Sequence, residues 1–182
     1  MRHNIFQRYG KLSLSLAVFL ASILFLTSCA GSDPAQDDWG QRYTSSTYEF
    51  SFVYPHEMEI KTEKARDGAA TIHFEQTSGK AMQLVFYMMP DALSQEELAS
   101  EAQLLLDSSL YRIQSINEKG AEDVAGRQVT MIEALAGEKE IIKAGAAAFS
   151  DEGRSFFITV IAPEKNYEPA MDNLYRVVES VD

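Results

Sequence analysis

The chain has 182 residues, which is enough for one domain with a sizeable core. It holds 16 lysines and arginines against 27 aspartates and glutamates, giving a formal net charge of −11. This acidic balance repels nucleic-acid phosphates and argues against a nucleic-acid-binding role. Because the sequence contains one cysteine, an intrachain disulfide is excluded.

Residues 1–28 differ in composition from the rest of the chain. Arg2, Arg8 and Lys11 make a basic start without any acid, and an uncharged apolar run follows over residues 12–28. A basic start, a short apolar run and small residues at its end are typical of a secretory signal peptide. The alternative is a transmembrane anchor, since the run of about 17 residues reaches the lower limit for a spanning helix. No basic cluster follows the run, which favours the signal peptide.

The single cysteine, Cys29, stands at the end of this apolar run, directly after Leu26, Thr27 and Ser28. This order resembles a bacterial lipobox. The resemblance implies cleavage after Ser28 and attachment of a diacylglyceryl group to the Cys29 sulfur, which would then have no nucleophilic or redox role. The alternative is an ordinary thiol near a cleavage site. Acylation at Cys29 makes the lipid bilayer the expected partner, because two or more acyl chains give stable membrane attachment.

The expected location is therefore the cell envelope, with the lipid anchor on the outer side of the cytoplasmic membrane or in the outer membrane. Residues 29–42 are polar, with glycine, proline and acidic residues, and predict a flexible tether. The only tryptophan, Trp39, lies in this segment. It has two possible positions, in the membrane interface or packed on the domain, and the second is preferred.

The domain is predicted to occupy residues 43–182 and to begin with strands. Tyr48, Phe50, Phe52 and Tyr54 alternate with Glu49, Ser51 and Val53, which predicts a strand with one apolar face. The stretches EMEIKT and ATIHFEQ predict two further strands, and residues 77–80 predict a turn. The stretch AMQLVFYMM is apolar on both faces, which is typical of a central strand covered on both sides.

A helix is predicted to follow and to run to about Ser109. Ser94 and Glu97 have the spacing of a capping box, in which each residue satisfies a backbone donor at the start of the helix. Apolar residues then recur at helical spacing on one face. They are Leu98, Ala102, Leu105 and Leu106.

The remaining sequence predicts four strands and a last helix. YRIQSINEK predicts a strand, the acidic residues 118–123 predict a turn, and Ala125 with Gly126 predicts a second turn before another strand. KEIIKAGAAAFS predicts a strand with an unusually small middle, residues 151–154 predict a hairpin turn, and SFFITVIA predicts a second central strand. The last helix is predicted to start near Tyr167, with Pro169 in its first turn.

The order of elements is strands, helix, strands, helix, with hairpin turns between the strands. This order predicts an α+β fold in which helices flank both sides of a mainly antiparallel sheet. The stretches FSFVYP, SQEEL and VAGRQV in this layout resemble the PsbP-like family over residues 43–182. The resemblance implies an α/β/α sandwich and a noncatalytic binding or assembly role, as in the extrinsic photosystem subunits and bacterial lipoproteins with this fold.

The sequence carries little that predicts catalysis. We find no nucleophile elbow, phosphate-binding loop, dinucleotide fingerprint or calcium loop, and we expect no cofactor. The expected function is a noncatalytic binding or scaffold module, with an unidentified envelope protein as partner. The alternative is a small-molecule or metal-binding receptor, or an enzyme, that uses His56 and His73, the two histidines after the leader.

Overall fold

The computed structural model describes residues 39–77, 82–110, 112–138 and 140–182. The predicted signal peptide, Cys29 and most of the predicted tether lie outside the described residues, as does most of the turn predicted at residues 77–80. The described residues belong to one compact unit. None of their helices has the length and apolar character needed to cross a membrane.

The described residues form nine strands and two α-helices: five strands come first, and a helix, four strands and a second helix follow. Their bounds are β1 (Gly40–Ser45), β2 (Phe50–Pro55), β3 (Met58–Arg66), β4 (Ala69–Gln76), β5 (Gln83–Met89), α1 (Gln95–Ser109), β6 (Ile113–Val124), β7 (Arg127–Ala136), β8 (Ile142–Asp151), β9 (Arg154–Pro163) and α2 (Tyr167–Ser180). A single 3-10 turn, Glu164–Asn166, joins β9 to α2. Strands β3 to β9 make one sheet in the spatial order β3-β4-β5-β9-β8-β7-β6, and β1 pairs with β2. Neighbouring strands are antiparallel throughout, so the predicted α+β class is confirmed.

The two helices cover opposite faces of the sheet, as the sequence predicted. On β8, Ala144, Ala146 and Ala148 pack in the core under α1, whereas Ala147 and Phe149 pack in the core under α2. Alternate residues of a strand point to opposite faces, so the small middle of β8 serves both cores at once. Its alanines allow the strand to be covered closely on both sides.

The β1–β2 hairpin lies on the same side of the sheet as α2 and covers β4 and β5. Phe52 stacks on Phe86 of β5 with ring centroids 4.0 Å apart, and Tyr54 packs on Phe74 of β4 at 4.6 Å. The C-terminal residue closes the other edge of β2, because Asp182 and Ser51 exchange two backbone hydrogen bonds of 2.9 and 2.8 Å. The aromatic alternation read from the sequence therefore marks a core-facing strand.

Regular structure begins earlier than the sequence predicted. Strand β1 starts at Gly40 and not at Tyr43, so the last three residues assigned to the tether pair with β2. The reason is that β1 reads GQRYTS, in which the buried positions are a glycine, a tyrosine and a serine, so apolar alternation is absent. A side chain at Gly40 would collide with the Tyr54 backbone and the Val53 side chain.

Trp39 packs on the domain, which confirms the preferred position. Its indole Nε1 donates a hydrogen bond of 3.2 Å to Asn173 Oδ1, and the Arg176 guanidinium lies 5.4 Å from the centre of the ring. Both partners belong to α2, so the chain enters the domain along this helix.

The acidic turn predicted at residues 118–123 is wrong. Strand β6 continues through these residues, and the register shifts between Glu118 and Gly120. Gly120 has φ +99°, a conformation that glycine adopts without a steric cost. The glycine therefore supports a β-bulge inside a long edge strand, where the sequence pattern suggested a chain reversal.

Candidate functional site

The structure does not bring the two candidate histidines together. Met58 of β3 pairs with Gln76 of β4 in an antiparallel ladder. His73 lies three residues before Gln76 and His56 lies two residues before Met58, so the two histidines lie on opposite sides of this pair. About five residues therefore separate the two histidines along the strand direction, which corresponds to roughly 15 Å. Both imidazoles are exposed. Because zinc–nitrogen bonds are about 2 Å long, one zinc ion cannot bind both side chains.

Within the described ranges, no group of three or more histidine, cysteine, aspartate or glutamate side chains is arranged to hold a metal ion. Cys29, the predicted lipidation site, lies outside these ranges. The sequence-derived candidates therefore do not define a site in the described domain.

A polar cavity of about 330 Å³ lies between the start of α2 and strands β6, β7 and β8. We refer to it as the α2 pocket. Residues of all three strands form its floor and one wall, and the first two residues of α2 form the other wall. The residues that line the cavity are Ser115, Asn117, Glu133, Ala134, Leu135, Lys143, Tyr167 and Glu168.

The register of the three strands arranges the floor of the α2 pocket in two rows. Ser115 of β6 lies opposite Leu135 of β7, and Leu135 lies opposite Lys143 of β8. In the next row, Asn117 lies opposite Glu133, and Glu133 lies opposite Gly145. Paired residues in a sheet have Cβ atoms about 5 Å apart, so each row presents its side chains side by side on one face.

Gly145 allows α2 to approach the sheet closely at this point. A Cβ atom at this position would collide with the Met171 sulfur and would lie 3.2 Å from the Tyr167 hydroxyl oxygen. The absence of a side chain thus leaves room for both α2 residues, which are buried. The small residues in the middle of β8, among them Gly145, therefore allow α2, which forms one wall of the α2 pocket, to pack against the strands that form its floor.

Glu133 is held by two donors. The Tyr167 hydroxyl donates to its Oε1 at 3.1 Å, and the Lys119 ammonium lies 2.7 Å from its Oε2. Burial, followed by the negative charge of Glu133, raises the pKa of Tyr167 above its usual range. The Tyr167 hydroxyl therefore keeps its proton at neutral pH and serves as a hydrogen-bond donor. A tyrosine in this state is a poor general base or nucleophile.

Lys143 is likewise fixed by its neighbours. Its ammonium lies 3.1 Å from Glu164 Oε1 and 5.6 Å from the centre of the Tyr167 ring. Its side chain is about one-third exposed, so the aliphatic stem is largely packed while the charged end stays accessible. The α2 pocket thus contains charges of both signs, and its two floor charges are held by neighbours.

A second cavity, of about 420 Å³, lies between α1 and the edge of β6 and β7. Its side chains come mainly from α1 and include Gln95, whose Oε1 accepts a 2.5 Å hydrogen bond from Thr130. Glu96 and Glu118 also line it, and none of the lining residues is basic. The cavity is larger than the α2 pocket, but no ion pair fixes its carboxylates among the described residues. We therefore take the α2 pocket as the candidate functional site.

Sequence reasoning missed the α2 pocket. Two signals were present, the alternation of Ser115, Asn117 and Lys119 along β6 and the glycine in the middle of β8. They become a site only through the register of three strands and the position of α2, which separate sequence segments do not reveal.

No protein-family model matches the sequence, and a comparison with curated proteins gives no match. Among solved structures, the cyanobacterial PsbP protein of Synechocystis sp. PCC 6803 is similar with a TM-score of 0.53 and 15% identity, covering 85% of this chain and 96% of that one. The Ran-binding protein Mog1p of Saccharomyces cerevisiae has a TM-score of 0.56 and 8% identity, covering 79% of this chain and 94% of that one.

A third similar structure comes from Bacteroides thetaiotaomicron, with a TM-score of 0.55 and 10% identity over 79% of this chain. The match covers 48% of that protein, so the chain spans about half of its length. At such identities the similarities establish the fold alone. The domain has the PsbP-like fold, an antiparallel sheet with a helix on each side, as the resemblance in the sequence implied.

Proposed function

We propose that the protein is a membrane-anchored lipoprotein whose exported PsbP-like domain is a noncatalytic binding or scaffold module of the cell envelope. In this proposal Cys29 carries the lipid anchor, and the α2 pocket is the surface that meets a ligand or partner. The basic start, the apolar run and the tripeptide before Cys29 support the anchor.

The observation that carries the proposed binding role is the pairing of the two charges on the floor of the α2 pocket. Glu133 is held by Tyr167 and Lys119, and Lys143 is held by Glu164. Catalysis by a side chain requires an acid, base or nucleophile that is free to react and has a suitable pKa. Paired charges in a fixed arrangement suit recognition better, because little order is lost when a ligand binds.

The length of chain between the proposed anchor and the domain supports a role close to the membrane. Ten residues lead from Cys29 to Trp39. Covalent geometry limits their span to about 35 Å, and a flexible chain of this length spans only about 17 Å on average. The domain would therefore stay near the bilayer and meet partners at the membrane surface.

The anchor can be tested by membrane fractionation of cells that produce the full chain. We expect the protein to sediment with membranes and to be released by detergent but not by high salt, and we expect Cys29→Ala to abolish this association. Ser32→Ala, three residues further on, is the matched control and should behave like the original protein. Membrane association that survives Cys29→Ala would contradict the proposed anchor.

The binding role can be tested by chemical cross-linking in those membranes. Asn117 is exposed on β6 at the α2 pocket, so Asn117→Trp should fill the pocket without disturbing the core. Glu118→Trp places the same bulk next to it on the strand, outside the α2 pocket. We expect a cross-linked envelope partner to be lost with Asn117→Trp and kept with Glu118→Trp. Equal cross-linking in both variants would contradict a role for the α2 pocket.

A further inference from the structure

We infer that the α2 pocket binds a short zwitterionic peptide, with the peptide carboxylate at Lys143 and its ammonium group at Glu168. The inference rests on the proposed binding role and adds the chemical class of the ligand. It follows from the charges that line the cavity, from polar groups that have no hydrogen-bond partner among the described residues, and from the size of the cavity.

Lys143 is the group available to an anion. A lysine ammonium has three N–H donors, and Glu164 is the one carboxylate that pairs with Lys143 among the described residues. The ammonium therefore has donors left for a ligand carboxylate. The packed stem and the nearby Tyr167 ring hold it in place, which reduces the entropy that is lost when the ligand binds.

Glu168 is the group available to a cation. Its side chain is exposed at the other wall, and its carboxylate makes no hydrogen bond or ion pair with a described residue. Glu133 is a weaker candidate for this role, because Tyr167 and Lys119 already occupy its two oxygens. The cavity thus presents a positive group and a separate negative group to the same ligand.

Ser115 and Asn117 supply neutral polar groups to the same cavity. Neither side chain forms a hydrogen bond with any residue that the structure describes, and both line the cavity. A hydroxyl group and a carboxamide can donate and accept hydrogen bonds, as recognition of a peptide unit requires. Leu135 lies beside Ser115 in its row and offers an apolar surface for a small side chain.

The balance of charge favours a zwitterion over a simple ion. The described part of the chain is acidic as a whole, so an anion approaches against the field of the domain. A simple cation would pair with Glu168 but would also meet the ammonium group of Lys143. A ligand that carries both charges satisfies the two groups together. The termini of a dipeptide are about 7 Å apart when extended, a length that suits a cavity of about 330 Å³.

The test is a titration of the purified full chain in detergent with alanyl-alanine, followed by calorimetry or by changes in NMR spectra. We expect saturable binding, weakened about tenfold to a hundredfold by Lys143→Met and by Glu168→Gln, the effect of losing one charged hydrogen bond. Lys64→Met and Glu179→Gln change the same residue types at exposed positions outside the α2 pocket, and they should leave the affinity unchanged.

Blocked peptides assign each charge to its partner. Acetylation of the peptide amino group should weaken binding, and Glu168→Gln should cause no further loss with the acetylated peptide. Amidation of the carboxylate should likewise remove the effect of Lys143→Met. Absence of saturable binding up to about 10 mM, or equal binding of free and blocked peptides, would overturn the inference. Either result would leave the anchor and cross-linking tests unaffected, so the proposed function stands or fails separately.

Discussion

Three tyrosines link distant segments of the domain through hydrogen bonds to glutamates. Tyr43 donates to Glu63 at 2.6 Å, Tyr167 to Glu133 at 3.1 Å, and Tyr175 to Glu122 at 2.8 Å. Burial, followed by the glutamate beside each hydroxyl, raises the pKa of Tyr43 and Tyr175 to about 12. These residues therefore act as neutral donors throughout the physiological pH range, and they tie β1 and α2 to the sheet.

The Tyr43 hydroxyl makes the stability of the domain depend on pH in the alkaline range. Its pKa is raised from 10.0 in the unfolded chain to about 12 in the folded protein, so its contribution is complete below pH 10 and is lost as pH rises through about 12. We expect the free energy of unfolding to fall less steeply between pH 10 and 12 in Tyr43→Phe than in the original protein. Urea denaturation at several pH values measures this difference.

Tyr48→Phe is the control for this experiment, because no hydrogen bond from the Tyr48 hydroxyl to a glutamate is found among the described residues. It should keep the original slope over the alkaline range. A slope for Tyr43→Phe that equals the original one would show that the raised pKa of Tyr43 does not affect folding.

Tight turns determine how the strands of the large sheet pair. Three hairpins close with two residues at positive φ, of which the second is always glycine. The pairs are Asp67-Gly68, Ala125-Gly126 and Glu152-Gly153. Positive φ at both positions matches the right-handed twist of the strands, and aspartate or asparagine tolerates the first position better than alanine does.

Ala125 is therefore an unfavourable residue in its turn, with φ +52°. We expect Ala125→Asn to stabilise the domain by about 0.5–1 kcal/mol, since asparagine adopts the left-handed conformation at a lower cost. Thermal and urea denaturation measure the change. Asp67→Ala makes the opposite change in an equivalent turn and should destabilise the domain. A loss of stability in Ala125→Asn would contradict this account of the turn.

Local sequence signals were sufficient for several elements and insufficient for others. The capping box at Ser94 and Glu97 could be predicted because its two residues are three positions apart and interact within one helical turn. Strand β1 could not be predicted from alternation, because its stability depends on pairing with β2. The glycine in the middle of β6 gave the wrong prediction, because a turn and a bulge both favour glycine.

The order of strands lies beyond local signals for a similar reason. Strand β9 sits between β5 and β8, although α1 and three strands separate it from β5 in sequence. The apolar faces of β5 and β9 predicted that both strands are central, but they did not identify the neighbours of each. The α2 pocket depends on the pairing of β6, β7 and β8, which supply its floor, and on the position of α2, which supplies its wall.

At the scale of the whole molecule, the proposed function combines a domain with the PsbP-like fold and a lipid anchor at Cys29. In the proposed function, the anchor holds the α2 pocket at a membrane surface. The anchor is therefore the central claim of the proposed function.

Mass spectrometry of the N-terminal peptide of the protein, purified from the membranes of cells that produce the full chain, tests this claim most directly. The account predicts a chain that begins at Cys29 and carries a diacylglyceryl group on its sulfur. A peptide with unmodified Cys29, or a chain that still includes residues 1–28, would contradict it.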